Sequence, residues 1–388
     1  MNSRALGDEL PDEQPAASGE SLQVPKDAVP GDLPGDAIGD DELLRPQPID
    51  DPVEEQPISD NADLYQQLRD AVDRCQRDQM ARGDLKILSR SLRELRYAFK
   101  VFRPYRRRRK VTIFGSARTP SDHPDYIQTV DFAERMASLG WMVITGAGGG
   151  IMEAGHVGAG RDASMGLNIM LPFEQSSNPV IEGSDKLVTL KYFFTRKLMF
   201  LKECSGIVCA PGGFGTLDET MEVLTLVQTG KQTMSPIVLL DRPGGDYWKD
   251  LGTYINKHLL DSGMISPADV NLYRITDSVD VAVQEICKFY RVYHSMRYVK
   301  DELVLRLKKT LTEDQLQQLN DGFADILAKG AIRQSSALPS ESGEPELAAL
   351  PRLVMSFNRR ALSRLRQLID AVNDFSDNTE GCSPSVCS

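Results

Sequence analysis

The sequence has 388 residues, 41% of them hydrophobic, and a formal net charge of −11. This length is enough for one large or two ordinary domains with a substantial core. No stretch approaches the roughly 20 apolar residues of a membrane helix, and the start of the chain has no apolar signal-peptide core, which excludes a membrane-spanning class and predicts a cytoplasmic protein. The six cysteines have no metal-ligand spacing, so no metal site is predicted, and Cys204 and Cys209 are interpreted as small core residues.

The first 60 residues carry the acidity of the chain. They hold 16 acids, 3 bases and 9 of the 22 prolines, so that residues 61–388 sum to +2. Such a segment cannot bury enough apolar surface to offset its ordering entropy, and we expect a disordered acidic leader over residues 1–60. The composition favours a solvated leader, with binding of a basic partner as the alternative.

A helical pattern follows over residues 62–102. Apolar residues recur at three- and four-residue spacing on both sides of a break near Gly83, which predicts two helices or one kinked helix as an N-terminal extension (61–104). We expect it to pack on the next domain or on another subunit. The basic octet 103–110 is interpreted as a solvated linker or a partner for the acidic leader, because no nucleic-acid recognition fold surrounds it.

Short apolar runs then alternate with helical patterns over residues 105–297. The predicted strands are 111–117, 141–145, 166–171, 186–190, 206–210 and 236–240. Five or six such units imply an α/β fold with a doubly wound parallel sheet, Rossmann-like, with extra flanking helices. Beyond it the pattern predicts a helical C-terminal extension (298–376), with a linker over 334–346, and a polar tail (377–388).

Two glycine-rich turns follow predicted strands and should meet at the carboxyl edge of the sheet. The first, GAGGGI at 146–151, resembles a dinucleotide-binding turn, but Ile151 stands where that fingerprint needs glycine. The next strand also ends without the acid that would hold the ribose of NAD. No GxxxxGK[ST] motif occurs, so neither NAD binding nor ATP hydrolysis of the P-loop kind is predicted.

The second turn, PGGFGT at 211–216, opens directly into a helix, where freed backbone N–H groups favour a phosphate. Arg196, on the preceding helix, has a planar donor fork suited to phosphate or a developing oxyanion. Glu219 and Glu222 are three residues apart and share one helix face, whereas Asp218 is interpreted as complementing the helix dipole. These features indicate an enzyme that acts on a nucleotide.

Four motifs resemble those of the Lonely guy (LOG) family and occur in the family's order along the chain. PGGFGTLDE resembles the PGGxGTxEE signature, TRK at 195–197 matches an Arg-Lys pair, GAGGGIMEAG resembles a glycine-rich turn, and VTIFGSA matches the first strand. The resemblance covers roughly residues 110–290. Longer bacterial members share the phrase GLNIMLPFEQ found at 166–175 and are sometimes misnamed lysine decarboxylases, although nothing here indicates a pyridoxal-phosphate lysine.

Members of this family are phosphoribohydrolases, which cleave a nucleoside 5′-monophosphate to free base and ribose 5-phosphate. The resemblance implies AMP or N6-modified AMP as substrate, as in cytokinin activation, no cofactor, and a homodimer or higher homo-oligomer. It implies Arg196 and Glu219 as the catalytic pair. It implies a substrate pocket formed by Gly115, Ser116, Gly148, Gly149, Lys197, Gly212, Gly213, Gly215, Thr216 and Glu222. The chain departs from the family at Asp218, where glutamate is usual, and in its helical flanks.

Two other functions remain open. A regulator on the same fold could bind a nucleotide without cleaving it, although the intact pair of Arg196 and Glu219 argues against this. An interaction scaffold built on the flanking helices would leave the two glycine turns without a purpose.

Overall fold

A seven-stranded parallel sheet forms the centre of the computed structural model, which describes residues 61–170 and 176–375. Its strands are β1 (Lys110–Phe114), β2 (Met142–Thr145), β3 (Ser164–Ile169), β4 (Leu187–Leu190), β5 (Gly206–Cys209), β6 (Ile237–Leu240) and β7 (Arg274–Thr276). Their order in the sheet is β4-β3-β2-β1-β5-β6-β7. The expected leader (1–60) and tail (377–388) lie outside the described residues.

The inner strands are short apolar runs without alternation, which is the pattern of strands covered on both faces. Every residue of β1, β2, β5 and β6 is buried. Sequence patterns do not predict β7, because its three residues are exposed or half-buried and form no apolar run.

Ten helices accompany the strands within the described residues. They are α1 (Ala62–Arg77), α2 (Arg82–Phe102), α3 (Pro124–Ser138), α4 (Ile151–Ala163), α5 (Phe193–Glu203), α6 (Phe214–Gln228), α7 (Tyr247–Tyr254), α8 (Val279–Phe289), α9 (Glu313–Gly322) and α10 (Leu362–Asp374). With the parallel sheet they confirm the expected doubly wound, Rossmann-like α/β fold. Across this part of the chain, no helix is both long and apolar enough to traverse a bilayer.

The order in which successive strands are added to the sheet reverses between β1 and β5, which are parallel neighbours. From β1 the chain builds one half of the sheet through β4, and after β5 it builds the other half. Phe114 pairs with Cys209, so the turns that follow the two strands begin at the same level. A crevice at such a switch point is where open α/β sheets bind their ligands.

The N-terminal extension consists of two helices, α1 and α2. No residue of α1 is buried, and its apolar residues Leu64, Leu68 and Val72 are exposed. The second half of α2 joins the core, where Phe102 is fully buried and where Glu94 is also buried despite its charge. This half of α2 packs against α5 and against β4, which is the edge strand of the sheet. The extension therefore lies beside the connection from β4 to α5.

The expectation of a helical C-terminal extension is wrong over most of that segment. Together with residues 293–297 it forms a second, antiparallel sheet in the order β10-β11-β9-β8, made of β8 (Tyr293–Val299), β9 (Glu302–Leu307), β10 (Leu327–Ser335) and β11 (Arg352–Phe357). The run 303–307 is buried along its whole length, and a short continuous apolar run has no periodicity that separates a buried strand from a helix. Among the described residues of this segment, only α9 and α10 are α-helical.

The stretch expected as a linker (334–346) also packs with the second sheet. It carries Glu341, whose carboxylate is buried and lies 2.7 Å from Arg306 Nη2 and 3.1 Å from Arg352 Nε. Its polar composition is typical of a loop, and the pattern gives no sign that a distant arginine pair buries one of its acids.

Candidate active site

The turn that follows β1 and the PGGFGT turn that follows β5 meet at the switch point. Ser116, just after β1, donates its backbone N–H to Pro211 O at 3.2 Å. A Cβ on Gly212 would lie 2.1 Å from Thr216 Oγ1 and 2.9 Å from Ser116 N, so the close approach of the two turns requires glycine there. The PGGFGT turn (211–216) is therefore held directly against the turn that follows β1.

The glycine turn between β2 and α4 contacts the same place from the other side. Ile151 N donates to Ser116 O at 2.9 Å. Gly150 has a φ of +62°, and a Cβ on it would lie 2.3 Å from Ser116 O, so Gly150 is the glycine that this turn requires. The sequence prediction did not single out Gly150. The glycines that it did name in or beside this turn are Gly115, Gly148 and Gly149.

A buried polar network lies beneath this turn. Thr145 Oγ1 accepts the N–H of Ala147 at 3.0 Å and lies 3.1 Å from His156 Nε2. Asn178, beside the other nitrogen of that imidazole, donates to Gly148 O at 3.0 Å. Burial lowers the pKa of His156, so the imidazole stays neutral and holds the turn through hydrogen bonds. The only feature of the sequence that points to this network is the single histidine in α4.

The second glycine turn ends at the N-terminus of α6. Gly213 is the N-cap, and the first turn of a helix presents N–H groups without intrahelical partners. A Cβ on Gly213 or on Gly215 would meet nothing within 4 Å, so the backbone here is open to a ligand. Tyr247 donates its hydroxyl to Gly212 O at 2.7 Å and fixes the turn from α7. No motif in the sequence singles out this tyrosine.

Two cations on α5 face three carboxylates on α6. Arg196 Nη2 lies 3.8 Å from Glu219 Oε1. Lys197 Nζ lies 2.8 Å from both Asp218 Oδ2 and Glu222 Oε2, and 3.9 Å from Glu219 Oε2. The structure thus brings the sequence-predicted charged residues together, and it gives Asp218 a specific partner in Lys197 beyond the helix dipole.

Burial dominates the electrostatics of the central pair. The side chain of Glu219 is 7% exposed, and burial raises its pKa to about 7, although Lys197 and Arg196 oppose the rise. Burial also lowers the pKa of Arg196 against the pull of Glu219 and Asp218. For Lys197, burial alone would lower the pKa, but hydrogen bonds to Asp218 and Glu222 outweigh it and the pKa is raised. A carboxylate that titrates near neutrality is suited to general base chemistry.

Aromatic side chains border this charged cluster. The guanidinium carbon of Arg196 lies 5.1 Å from the ring centre of Phe193 and 5.6 Å from that of Phe200, within the range of cation–π contacts. Phe193 is half exposed, and Phe214, at the start of α6, is 92% exposed. The site therefore combines the N-terminus of a helix, a buried acid and exposed apolar surface.

Several known proteins resemble this chain. The family described as possible lysine decarboxylase matches residues 149–286. A cytokinin riboside 5′-monophosphate phosphoribohydrolase of Mycobacterium marinum is 27% identical over 168 residues, which is 42% of this chain and 86% of that protein. The enzyme of that name from Mycobacterium tuberculosis is 28% identical over 154 residues, which is 38% of this chain and 78% of that protein.

Among solved structures, the molybdenum cofactor binding protein of the phototrophic bacterium Rippkaea orientalis aligns with 46% of this chain and 94% of its own length. Its sequence identity is 17% and its TM-score is 0.32, a similarity too low to bear on function.

Proposed function

Because the domain around this site belongs to the Lonely guy (LOG) family, we propose that the protein is a nucleoside 5′-monophosphate phosphoribohydrolase. Its substrate would be AMP or an N6-modified AMP, and the names of the mycobacterial relatives give a cytokinin riboside 5′-monophosphate as theirs. The observation that carries the proposal is the contact of Arg196 with the buried Glu219, 3.8 Å apart beside a glycine-rich helix N-terminus.

The helix end supports a role in holding the 5′-phosphate. The backbone at Gly213 and Gly215 is open, the hydroxyl of Thr216 lies against the glycine turn, and the dipole of α6 favours an anion there. Glu219 lies five residues into α6, about 7 Å along the helix axis. The carboxylate would therefore face a group attached to the phosphate, such as ribose, and not the phosphate itself.

The chemistry follows from the ionised form of Glu219. Cleavage of the N-glycosidic bond passes through an oxocarbenium-like ribose, which a neighbouring carboxylate stabilises. The bond electrons leave with the base nitrogen, a water oxygen bonds to C1′, and Glu219 takes the water proton that the departing base finally receives. Arg196 would hold the phosphate or the sugar edge, so that binding energy from the phosphate orients the ribose.

The surroundings of Lys197 argue against the lysine decarboxylase activity that the name of the matched family suggests. A lysine that forms a Schiff base must reach its neutral form, usually through a lowered pKa. The amine of Lys197 lies 2.8 Å from two carboxylates, and its pKa is raised. Lys197 is better suited to hold Asp218 and Glu222 in place beside the catalytic pair.

We also propose that the protein works as a homodimer with apolar surface beside the site in the interface. Phe193, Phe194 and Phe214 expose more than half of their surface close to the charged cluster. Light scattering should then give about twice the chain mass of 43.0 kDa, and Phe214→Asp should shift the protein toward the monomer.

The test of activity incubates the purified protein with AMP, GMP, CMP, UMP, IMP and N6-isopentenyl-AMP and measures free base and ribose 5-phosphate. Glu219→Gln and Arg196→Ala are compared with Glu134→Gln, the same carboxylate-to-amide change at an exposed position of α3. Base release that both site variants lose and the control keeps would establish the hydrolase. Calorimetric binding without release would instead favour the nucleotide-binding regulator, and neither binding nor release would overturn both.

A further inference from the structure

Glu94 is a buried carboxylate that reaches the start of α5 from the N-terminal extension. It lies on α2, is fully buried, and its Oε1 accepts the backbone N–H of Lys191 at 2.9 Å. Its Oε2 accepts the hydroxyl of Thr195 at 2.8 Å. Both donors belong to the segment that starts α5, which is the helix that carries Arg196 and Lys197.

The first turn of α5 has no cap of its own. Its N-cap residue, Tyr192, makes no side-chain hydrogen bond to the helix end. A carboxylate near a helix N-terminus satisfies unpaired donors and interacts favourably with the helix dipole. Glu94 accepts instead from the backbone N–H of Lys191, just before the N-cap residue, and from the side chain of Thr195 in the first turn, and so ties the start of α5 to α2.

The charge of Glu94 is balanced on its own helix. Arg90, one turn earlier and also buried, donates its Nε–H to Glu94 Oε1 at 2.9 Å. A buried ion pair of this kind is weak evidence for stability, because desolvation of the two charges offsets their attraction. Stability alone thus gives little reason for a charged pair at this contact between α2 and α5.

We propose that Glu94 is a positioning residue, which fixes the first turn of α5 so that Arg196 and Lys197 lie opposite Glu219. Thr195, which it holds, immediately precedes Arg196 in the chain. The effect on turnover rests on the proposed function, whereas the effect on α5 does not. On this view α2 is part of the working enzyme, although it lies outside the matched residues 149–286.

The first test compares kcat and KM for the best monophosphate in Thr195→Val, Thr195→Ser and Glu94→Gln. Valine keeps the shape of threonine and removes the hydroxyl, whereas serine keeps the hydroxyl that Glu94 accepts. We expect kcat to fall about ten- to hundred-fold in Thr195→Val and Glu94→Gln, with a smaller change in KM, because small displacements of reacting groups are costly. Thr195→Ser should stay within a few-fold of the wild type.

The pH profile separates positioning from a loss of folded enzyme. Glu219 is faced by charged and titratable groups from α5, α6 and β5, namely Arg196, Lys197, Asp218, Glu222 and Cys209. If the start of α5 loosens, the two cations move away and the acidic limb of kcat/KM against pH shifts to higher pH. A role confined to stability would reduce the amount of active enzyme and leave that limb in place.

Hydrogen exchange tests the position of α5 without reference to activity. Amides of residues 191–197 should exchange faster in Thr195→Val and Glu94→Gln than in the wild type and Thr195→Ser. Faster exchange in these two variants, together with a wild type that cleaves no monophosphate, would support the positioning and overturn the proposed function. An active wild type whose Thr195→Val variant keeps its exchange, kcat and pH limb would overturn the positioning. Should Glu94→Gln fail to fold, the threonine pair carries the test.

Discussion

Arg196 and Glu219 approach within 3.8 Å although they belong to different helices that start on opposite sides of β5 in the chain. A cation this close would ordinarily lower the pKa of a carboxyl group. Here burial outweighs it, and the pKa of Glu219 is raised to about 7. The pair is therefore a buried acid that changes its charge near neutral pH beside a fixed positive group.

The pH dependence of turnover should follow this acid. The ionised form of Glu219 is the one that can accept a proton from water, so kcat/KM for AMP should rise with pH to a plateau through an apparent pKa of about 7. Initial rates of base release between pH 5 and 9 measure this limb. A limb near the ordinary carboxyl value of 4.5 would contradict the burial of the charged form, and Glu219→Gln should lose activity at every pH.

The hydroxyl of Tyr247 should matter for binding more than for chemistry. Tyr247→Phe removes its hydrogen bond to Gly212 O, which is 2.7 Å long, and frees the glycine turn at the helix end. A hydrogen bond of this kind contributes about 1 kcal/mol, so the Kd for AMP and for inorganic phosphate should rise several-fold. Calorimetry measures both constants. Tyr254→Phe, on the exposed end of α7, is the matched control and should bind as the wild type does.

The parts of the site that sequence predicted are those encoded by neighbouring residues. The PGGFGT turn, the Arg-Lys pair and the acids of α6 lie within 27 residues of one another in the chain, from Arg196 to Glu222, and local spacing reveals their grouping. The parallel sheet was likewise visible, because its inner strands are uninterrupted apolar runs bounded by turns.

The parts that sequence did not predict depend on distant contacts. Glu94 lies on an amphipathic helix whose charged residues read as solvated, and its partner Thr195 is 101 positions away. Tyr247 reaches Gly212 across 35 positions. The prediction of a helix at 303–307 failed for a different reason, because a fully buried run has no periodicity that distinguishes a strand from a helix.

Substitution by alanine should change the free energy of unfolding in opposite directions at two glycines of the PGGFGT turn. In Gly212→Ala the new Cβ would lie 2.1 Å from Thr216 Oγ1 and 2.9 Å from Ser116 N, so the turn must shift and the free energy of unfolding should fall by about 1–3 kcal/mol. In Gly215→Ala the Cβ meets nothing within 4 Å, and alanine inside a helix should add about 0.5–1 kcal/mol. Urea unfolding of both variants checks the difference. Equal effects at the two positions would contradict the close packing at Gly212.

His156 should make the folded protein sensitive to acid. Its pKa is lowered by burial, so below about pH 6.5 the unfolded chain takes up a proton that the folded protein does not. The stability contributed by the neutral imidazole is therefore complete above the unfolded pKa and is lost progressively as the pH falls toward the folded value.

Glu219 gives the opposite trend, because its raised pKa adds stability that is present below the ordinary value of 4.5 and is lost as the pH rises through about 7. The two contributions separate when His156→Gln is compared with the wild type at each pH. The stability deficit of the variant should be largest at pH 7 and above and should shrink toward pH 5, as measured by urea midpoints. A deficit that stays constant with pH would mean that the buried imidazole takes up its proton as readily as the unfolded one.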